Sequence, residues 1–262
     1  MSVPCVLVLA GLDPSGGSGL LADAEAIRAA GARPFCVPTA LTAQTTRRAR
    51  SFQPCAPGFL LETARALLEE EDIRAIKLGM LATPQLARAI GDLLAEHPGL
   101  PVVLDPVWSA SSGALLFKGS PDQARAAVAS LWARAVVTPN LAEAQLLLAL
   151  AEPPRTAAGQ EAAARALLAA GARAAIVKGG HGEGPASIDV LAWASPGAEG
   201  VQVVHLAGPR APGTARGTGC RFASAIAAGL ALGAPLEEAA RGAKQIVAAY
   251  LADQAAVGTA RR

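Results

Sequence analysis

The chain has 262 residues, with 23 basic and 21 acidic side chains, so its formal net charge is only +2. This balance excludes the strongly basic surface typical of proteins that bind nucleic acids or membrane surfaces. Hydrophobic residues make up 52% of the chain, which is enough for the core of one large α/β domain. We therefore predict a single domain over residues 1–262.

Signals for targeting, metal binding and disulfides are weak. The N-terminal segment M-S-V-P-C-V-L-V-L-A has no basic region and no cleavage site, so we interpret it as a strand and expect a cytoplasmic protein. The longest apolar run, 222–234, is too short to span a bilayer. The 4 cysteines form no C-x-x-C pair and no histidine lies at metal-ligand spacing, so we expect neither a zinc site nor a disulfide framework.

Short β-like segments alternate with helical segments along the chain. The early strands are continuous apolar runs, which is typical of a sheet covered by helices on both faces. The alternation predicts right-handed βαβ crossovers and an open, mostly parallel sheet. The last two strands lack an intervening helix and predict an antiparallel edge. The predicted strands are 6–10, 35–39, 73–78, 102–104, 135–138, 174–178, 190–194 and 201–205; the predicted helices are 20–30, 58–71, 84–97, 121–133, 141–150, 157–170, 217–232 and 236–252.

Polar or glycine-rich turns follow most of these strands. In a parallel sheet the ligand lies beyond the carboxyl ends of the strands, so these turns should converge on one rim. Their convergence predicts a binding site more strongly than any single turn does. A small basic cluster, Arg47, Arg48 and Arg50, is interpreted as solvated loop. The converging turns are 11–19 (GLDPSGGSG), 79–80 (GM), 105–106 (DP), 138–140 (TPN), 179–181 (GGH) and 217–220 (GTGC).

The first turn is compatible with more than one ligand. Residues 17–22 (GSGLLA) match a dinucleotide-binding pattern, but no acidic residue ends the second strand to hold a ribose. No P-loop sequence is present. The backbone of the turn could instead surround a small ligand. Asp23 follows in the helix, where it could also serve simply as an acidic residue favoured near a helix N-terminus.

Charged residues stand where later buried strands end. Asp105 must be solvated, paired or bound to a metal. Glu143 follows Asn140 at the spacing of a capping box, although it could also join Asp105 in binding Mg²⁺ carried by a nucleotide. Lys178, beside Gly179, is poorly explained by packing, whereas a phosphate would satisfy its charge.

The turn 217–220 runs directly into an alanine-rich apolar helix. Amides at a helix N-terminus attract anions, so Gly217, Thr218 and Gly219 could hold a phosphoryl group. The same position is expected to lower the pKa of Cys220. An inert buried cysteine and a Cys–His nucleophile remain alternatives, although no histidine carries a recognisable signature.

Taken in order, these motifs resemble the hydroxymethylpyrimidine/phosphomethylpyrimidine kinases of thiamine biosynthesis, within the ribokinase-like superfamily. Cysteine in GTGC, where pyridoxal and sugar kinases usually carry aspartate, favours the pyrimidine branch. The resemblance implies a ribokinase-like three-layer αβα sandwich that uses ATP and Mg²⁺, takes a small pyrimidine substrate and forms a homodimer. The matching segments are 10–23 (AGLDPSGGSGLLAD), 39–45 (TALTAQT), 77–81 (KLGML), 103–107 (VLDPV), 112–113 (SG), 138–143 (TPNLAE), 177–181 (VKGGH) and 217–220.

The resemblance also implies roles for individual residues. Gln44 would hydrogen-bond the aminopyrimidine edge through one amide donor and one acceptor. The turn 217–220 would form the anion hole, with Cys220 as a base that matters more for the alcohol than for the already ionised monophosphate. Asp105 and Glu143 would organise Mg²⁺. The other predicted pocket residues are Gly11, Asp23, Met80 and Val107, and the predicted contacts to ATP or phosphate are Asp105, Asn140, Glu143, Lys178, Thr214, Arg216 and Arg221.

The chain departs from the family pattern at several positions. Ser111 stands where lysine is usual, Arg216 where histidine is frequent and Arg221 where threonine often follows the cysteine. The two arginines could restore positive charge near the phosphates. Alternative functions are a pyridoxal-type kinase and a pyrimidine-binding sensor with impaired catalysis. Segments 110–113 and 182–187 are candidate mobile lids.

Overall fold

The computed structural model describes residues 3–109, 113, 115–180, 182–183, 186–194, 200–210 and 215–260. The predicted site residue Thr214 and the departure at Ser111 lie outside these residues, as does most of the predicted lid segment 110–113. The strands are β1 (Cys5–Leu12), β2 (Arg33–Gln44), β3 (Ala49–Pro54), β4 (Ile73–Leu78), β5 (Val102–Leu104), β6 (Ala135–Val137), β7 (Ala174–Val177), β8 (Ala186–Ala194) and β9 (Val201–Pro209). The helices are α1 (Gly19–Ala29), α2 (Pro57–Glu70), α3 (Pro84–Glu96), α4 (Pro121–Trp132), α5 (Leu141–Leu148), α6 (Ala157–Ala169), α7 (Thr218–Ala231) and α8 (Leu236–Ala260).

These strands form one 9-stranded sheet in the order β3-β2-β1-β4-β5-β6-β7-β8-β9. Strands β2, β1, β4, β5, β6 and β7 are parallel, and β8 and β9 are antiparallel at one edge. The predicted mostly parallel sheet with an antiparallel edge is therefore confirmed. The order reverses between β1 and β4, which is the position where sheets of this type bind ligands.

Strand β3 was not predicted, and it adds an antiparallel pair at the opposite edge. The chain turns through Arg47 and Arg48, and Arg50 then lies in β3 with its side chain exposed. The interpretation as solvated loop is therefore correct for Arg47 and Arg48, whereas Arg50 is exposed but belongs to a strand. The strand escapes prediction because it is a short, polar edge strand.

Helices cover both faces of the sheet, so the predicted αβα layers are confirmed. Along β1 the side chains alternate between two cores: Leu7 and Leu9 face helices α2 to α6, whereas Val6 and Val8 face α1, α7 and α8. Where the chain is described, no helix has the length and apolar character needed to cross a membrane.

The ends of the parallel strands form a continuous rim. The N–H of Asp105 donates to the carbonyl of Leu78 at 2.9 Å, and the N–H of Thr138 donates to the carbonyl of Leu104 at 2.9 Å. These bonds continue the backbone hydrogen bonding between the strands for one residue beyond β5 and β6. They therefore fix the position of Asp105 along the strand direction. The sheet therefore brings the polar residues after each strand to a common edge.

Candidate active site

The glycine-rich turn after β1 folds around the carboxylate of Asp13. Its Oδ1 accepts from the backbone N–H of Ser15 at 2.9 Å and from the Ser15 hydroxyl at 2.7 Å, and its Oδ2 accepts from the Ser18 hydroxyl at 2.8 Å. Burial opposes ionisation of Asp13, but these hydrogen bonds and the charge of Arg216 outweigh it and lower its pKa. The turn thus holds an ionised carboxylate whose side chain is only 3% exposed.

Arg216 and Gln44 complete the surroundings of Asp13. The guanidinium of Arg216 donates to Asp13 Oδ2 at 3.0 Å, to the Ser15 hydroxyl at 3.2 Å and to the carbonyl of Thr45 at 3.1 Å. Gln44 donates from Nε2 to the same Oδ2 at 3.2 Å. The charge of Arg216 thus neutralises a buried carboxylate, and its contact with phosphate stays a prediction.

The turn 217–220 contains the N-terminus of α7, and its residues are partly exposed. Gly217 caps the helix with a φ of 70°, and a Cβ there would lie 2.2 Å from the carbonyl oxygen of Gly17. Only glycine tolerates both constraints. The N–H groups of Thr218, Gly219 and Cys220 have no carbonyl partner within the helix. The turn therefore has the anion-attracting geometry that the sequence predicts.

Asp105 and Lys178 face each other beside this turn. Nζ of Lys178 lies 2.7 Å from Asp105 Oδ1, and their side chains are 12% and 3% exposed. A Cβ at Gly219 would lie 3.0 Å from the same Nζ. Burial works against both charges, but their mutual attraction lowers the pKa of Asp105 and raises the pKa of Lys178. The pair therefore places a cation next to the anion-attracting turn.

The predicted behaviour of Cys220 is corrected by its surroundings. Burial, with the nearby carboxylates of Asp105 and Asp23, raises the pKa of its thiol to about 12, although Lys77 and the N–H of Gly19 act in the opposite direction. The expected lowering by a helix N-terminus is too small to compensate for the lost solvation. The thiol also lies close enough to Asp105 to contribute to the lowered pKa of that carboxyl group, and the role of Cys220 as a base stays a prediction.

A second ion pair is completely buried between β4, α1 and α7. Lys77 Nζ lies 2.8 Å from Asp23 Oδ1, and both side chains are 0% exposed. The Ser224 hydroxyl donates to the same oxygen at 2.8 Å. Burial raises the pKa of Asp23 despite these partners, whereas the attraction of Asp23 overcomes burial and raises the pKa of Lys77. Asp23 is thus corrected from a pocket-lining residue to the buried partner of Lys77.

Asn140 and Glu143 form the capping box that the sequence analysis offered as an alternative. The N–H of Glu143 donates to Asn140 Oδ1 at 2.9 Å, and the N–H of Asn140 donates to Glu143 Oε2 at 2.7 Å. Burial raises the pKa of Glu143 to about 7, against the attraction of Lys178 and with added repulsion from Asp105. Glu143 is therefore near its midpoint of ionisation at neutral pH.

The carboxylates of Asp105 and Glu143 lie close enough that, after burial, repulsion from Asp105 helps to raise the pKa of Glu143. Among the described residues, no group of 3 or more His, Cys, Asp and Glu side chains could hold a metal. Mg²⁺ commonly binds one or two carboxylates and takes its other ligands from phosphates and water. The two carboxylates would suit Mg²⁺ that arrives with a nucleotide.

Apolar residues complete the rim next to the glycine-rich turn. A Cβ at Gly11 would lie 2.7 Å from Sδ of Met80, so the two strand ends approach closely. Val107 lines a small apolar cavity with Trp108 and Phe117, whose rings stack with centroids 6.3 Å apart. Gly11, Met80 and Val107 therefore lie at strand ends on the rim, as the motifs predict.

Arg221 is buried among helices, where its contacts are to protein groups, and its phosphate contact stays a prediction. It pairs with Glu25 of α1, and its guanidinium lies 3.8 Å from the ring centroid of Tyr250 in α8. It also donates to the carbonyl of Arg216 at 3.4 Å. The side chain is only 5% exposed. Its contacts with Glu25 and Tyr250 connect α7 to α1 and α8 beneath the turn 217–220.

Asp13 and Lys77 are the candidates that reasoning from the sequence missed. The signal for Lys77 is a charge inside the buried strand IRAIKL, since such a charge requires a partner. The signal for Asp13 is the sequence DPSG, because aspartate in a turn accepts from the N–H two residues later. Neither signal identifies the partner, which comes from a distant part of the chain.

Comparison with known proteins shows the family of this chain. Residues 13–262 match the family model described as Phosphomethylpyrimidine kinase. The hydroxymethylpyrimidine/phosphomethylpyrimidine kinase of Rhizobium meliloti is 37% identical, covering 97% of this chain and 94% of that protein. The protein of the same name in Streptomyces coelicolor is 35% identical, covering 93% and 87%.

Solved structures give the same result for the fold. Phosphomethylpyrimidine kinase from Clostridium difficile superposes with a TM-score of 0.77 and 26% identity, over 95% of this chain and 100% of that chain. Pyridoxal kinase from Staphylococcus aureus in complex with pyridoxal gives 0.80 and 29%, over 95% and 87%. The match to the family model covers nearly the whole chain, from residue 13 to residue 262, and this chain belongs to the phosphomethylpyrimidine kinase family.

Proposed function

We propose that this protein transfers the γ-phosphoryl group of ATP to 4-amino-5-hydroxymethyl-2-methylpyrimidine and to its monophosphate, within thiamine biosynthesis. The proposal rests on one observation: the same rim of the sheet carries a hydrogen-bonding amide suited to a pyrimidine and an anion site suited to a phosphate. Gln44 offers a hydrogen-bonding edge beside the glycine-rich turn. The helix start at 217–220 and Lys178 offer an anion site. The names of the relatives from Rhizobium meliloti and Streptomyces coelicolor support the same activity.

The anion site would stabilise the phosphoryl group during transfer. Phosphoryl transfer depends mainly on positioning and on neutralising charge. The N–H groups of Thr218, Gly219 and Cys220 would bind the oxygens of the group, and Lys178 would neutralise part of its charge. A phosphate monoester is already ionised at neutral pH, so the second transfer needs no base. The same anion site can therefore serve both steps, and in the first step the hydroxyl proton of the alcohol would pass to the transferred phosphoryl group or to water.

Mg²⁺ would be held by Asp105 and Glu143 together with oxygens from the nucleotide and from water. When bound, the ion neutralises charge on the phosphates. Lys178, already paired with Asp105 at 2.7 Å, would then be shared between the carboxylate and a phosphate. Calorimetric titration should show that Asp105→Asn weakens the binding of MgATP much more than the binding of ATP without metal.

The function is tested by supplying the pyrimidine alcohol, its monophosphate and pyridoxal separately with ATP. Both pyrimidines should be phosphorylated, with pyridoxal at least about tenfold less efficient in kcat/KM. The pyridoxal kinases among the solved neighbours make pyridoxal the necessary competitor. Phosphorylation of pyridoxal alone would establish the pyridoxal-type alternative, and binding of the pyrimidine without ATP turnover would establish the sensor.

We further propose that the enzyme acts as a homodimer in the cytoplasm, where ATP is available. Leu41 in β2 and Phe59 in α2 are 50% and 66% exposed, and exposed apolar side chains can contribute to contacts between subunits. Light scattering after size-exclusion chromatography should give about twice the chain mass of 26.3 kDa. A mass equal to one chain at all concentrations would contradict the dimer.

A further inference from the structure

We infer that Asp13 and Arg216 are positioning residues that fix which end of the Gln44 amide is nitrogen, and that they thereby select an amino-substituted pyrimidine over an oxo-substituted one. The inference rests on the proposed function, because it concerns the substrate of the same site. In this inference, specificity comes from Asp13 and Arg216, which act through Gln44 and do not contact the substrate themselves.

The contacts of Asp13 determine the orientation of the amide. Its Oδ2 accepts from Gln44 Nε2 at 3.2 Å, from Arg216 at 3.0 Å and from Ser18 at 2.8 Å. An ionised carboxylate has only acceptors. The amide atom that faces Asp13 must therefore be the nitrogen, and the oxygen of Gln44 must lie at the other end.

Arg216 acts together with the hydrogen bonds from Ser15 and Ser18 to keep Asp13 in the acceptor-only form. A carboxylate that is 3% exposed requires a charged partner or several hydrogen bonds. Arginine is charged at every physiological pH, and Arg216 is itself held by the Ser15 hydroxyl at 3.2 Å and by the Thr45 carbonyl at 3.1 Å. The pair therefore joins the glycine-rich turn to the segment just before the turn 217–220.

The fixed amide has one remaining N–H beside one carbonyl oxygen. This edge complements a ring nitrogen that accepts and an adjacent amino group that donates. A 4-oxo pyrimidine in its keto form presents the reverse order, a ring N–H beside a carbonyl oxygen. In the 4-oxo compound the ring N–H would face the N–H of Gln44, and the ring carbonyl oxygen would face the oxygen of Gln44. Polar groups that are buried without a partner in this way strongly disfavour binding.

The experiment compares kcat/KM for the 4-amino substrate and its 4-oxo analogue. In the wild type the ratio should favour the amino compound by about 100-fold or more. Asp13→Asn supplies an N–H that can pair with the oxygen of Gln44 and lets the amide reverse, so the ratio should fall about tenfold or more. Arg216→Met should also lower the ratio, and Arg216→Lys, which keeps the charge, should restore most of it.

Thr42→Val is the matched control, because it removes a hydrogen bond from β2 to the carbonyl of Leu12 in the same turn but leaves Asp13, Gln44 and Arg216 in place. It should retain the wild-type ratio. If Asp13→Asn does not fold, as judged by circular dichroism, the Arg216→Met and Arg216→Lys pair decides the question.

An equal loss of kcat/KM on both substrates in Asp13→Asn and Arg216→Met would mark a merely structural role and overturn the inference. A wild-type ratio near one would do the same while leaving the kinase activity standing. If the wild type phosphorylates neither pyrimidine, the proposed function fails, and the inference fails with it.

Discussion

At the scale of single residues, the site contains ion pairs with different surroundings. Lys178 and Asp105, 2.7 Å apart, border the anion site, whereas Lys77 and Asp23, 2.8 Å apart, have no exposure at all. Forming a buried ion pair contributes little net stability, but removing one partner leaves a charge that the interior solvates poorly. The effect of substituting Lys178 should therefore be measured as enzymatic activity, and the effect of substituting Lys77 first as the free energy of unfolding.

Lys77→Met should lower the free energy of unfolding by about 3–5 kcal/mol, because it leaves Asp23 buried without its cation. Urea denaturation measures the change. Arg74→Met is a matched control on the same strand, since Arg74 pairs with Asp72 at the surface and should have little effect. If the two substitutions had the same effect, the pairing of Lys77 would not matter for stability.

Glu143 should make the stability of the protein depend on pH. Its pKa is raised from 4.5 to about 7 in the folded chain, primarily by burial, so the folded state binds a proton more tightly than the unfolded state does. The resulting stabilisation is complete below the unfolded pKa and is lost as pH rises through about 7.

Glu143→Gln tests this dependence, because glutamine can keep the capping box but cannot ionise. Unfolding free energies should be measured from pH 4 to pH 8 for both proteins. The wild type should lose stability relative to the variant as pH rises across this range. A constant difference would show that Glu143 has an ordinary pKa.

At the scale of elements, the turn 217–220 is held in place by close backbone contact. A Cβ at Gly217 would meet the carbonyl oxygen of Gly17 at 2.2 Å, so Gly217→Ala must displace the start of α7. We expect kcat to fall by about 100-fold or more, because the turn supplies the groups that stabilise the transferred phosphoryl group.

Gly233→Ala provides the control for backbone strain. Gly233 also has a positive φ, of 85°, but a Cβ there would have no other atom within 4 Å. It should cost about 1–3 kcal/mol of stability and leave kcat nearly unchanged. Equal losses of kcat in the two variants would contradict a specific role for the turn.

Arg221 should act through the packing of helices and not through substrate binding. Arg221→Met loses the contacts to Glu25 and Tyr250 and should lower the free energy of unfolding by about 1–3 kcal/mol. KM for the pyrimidine monophosphate should remain within about twofold of the wild-type value. A large rise in KM with unchanged stability would restore the phosphate-binding role expected from the sequence.

At the scale of the whole molecule, the order of the elements is well predicted because apolar runs and strand-end turns are local signals. The parallel sheet, the αβα layers and the rim follow from alternation and from the positions of Asp105 and Lys178. Strand β3 is missed because it is short and polar. Its antiparallel pairing with β2 depends on a partner strand and not on its own composition.

The detailed roles of charged residues are not predictable from local signals, because their partners are distant in sequence. Asp13 meets Arg216, Asp23 meets Lys77, and Arg221 meets Tyr250. The fold alone decides whether each charge faces a ligand or another side chain. For the same reason the pKa of Cys220 is raised primarily by burial and then by its carboxylate neighbours, although its place at a helix N-terminus predicts the opposite direction.

The most direct test of the account is phosphorus-31 NMR of the purified protein with ATP, Mg²⁺ and 4-amino-5-hydroxymethyl-2-methylpyrimidine. The account predicts a phosphomonoester resonance that appears first and is then replaced by the paired resonances of a diphosphate ester, while ATP is converted to ADP. Resonances of ATP that persist without any pyrimidine ester, or hydrolysis of ATP to inorganic phosphate alone, would contradict it.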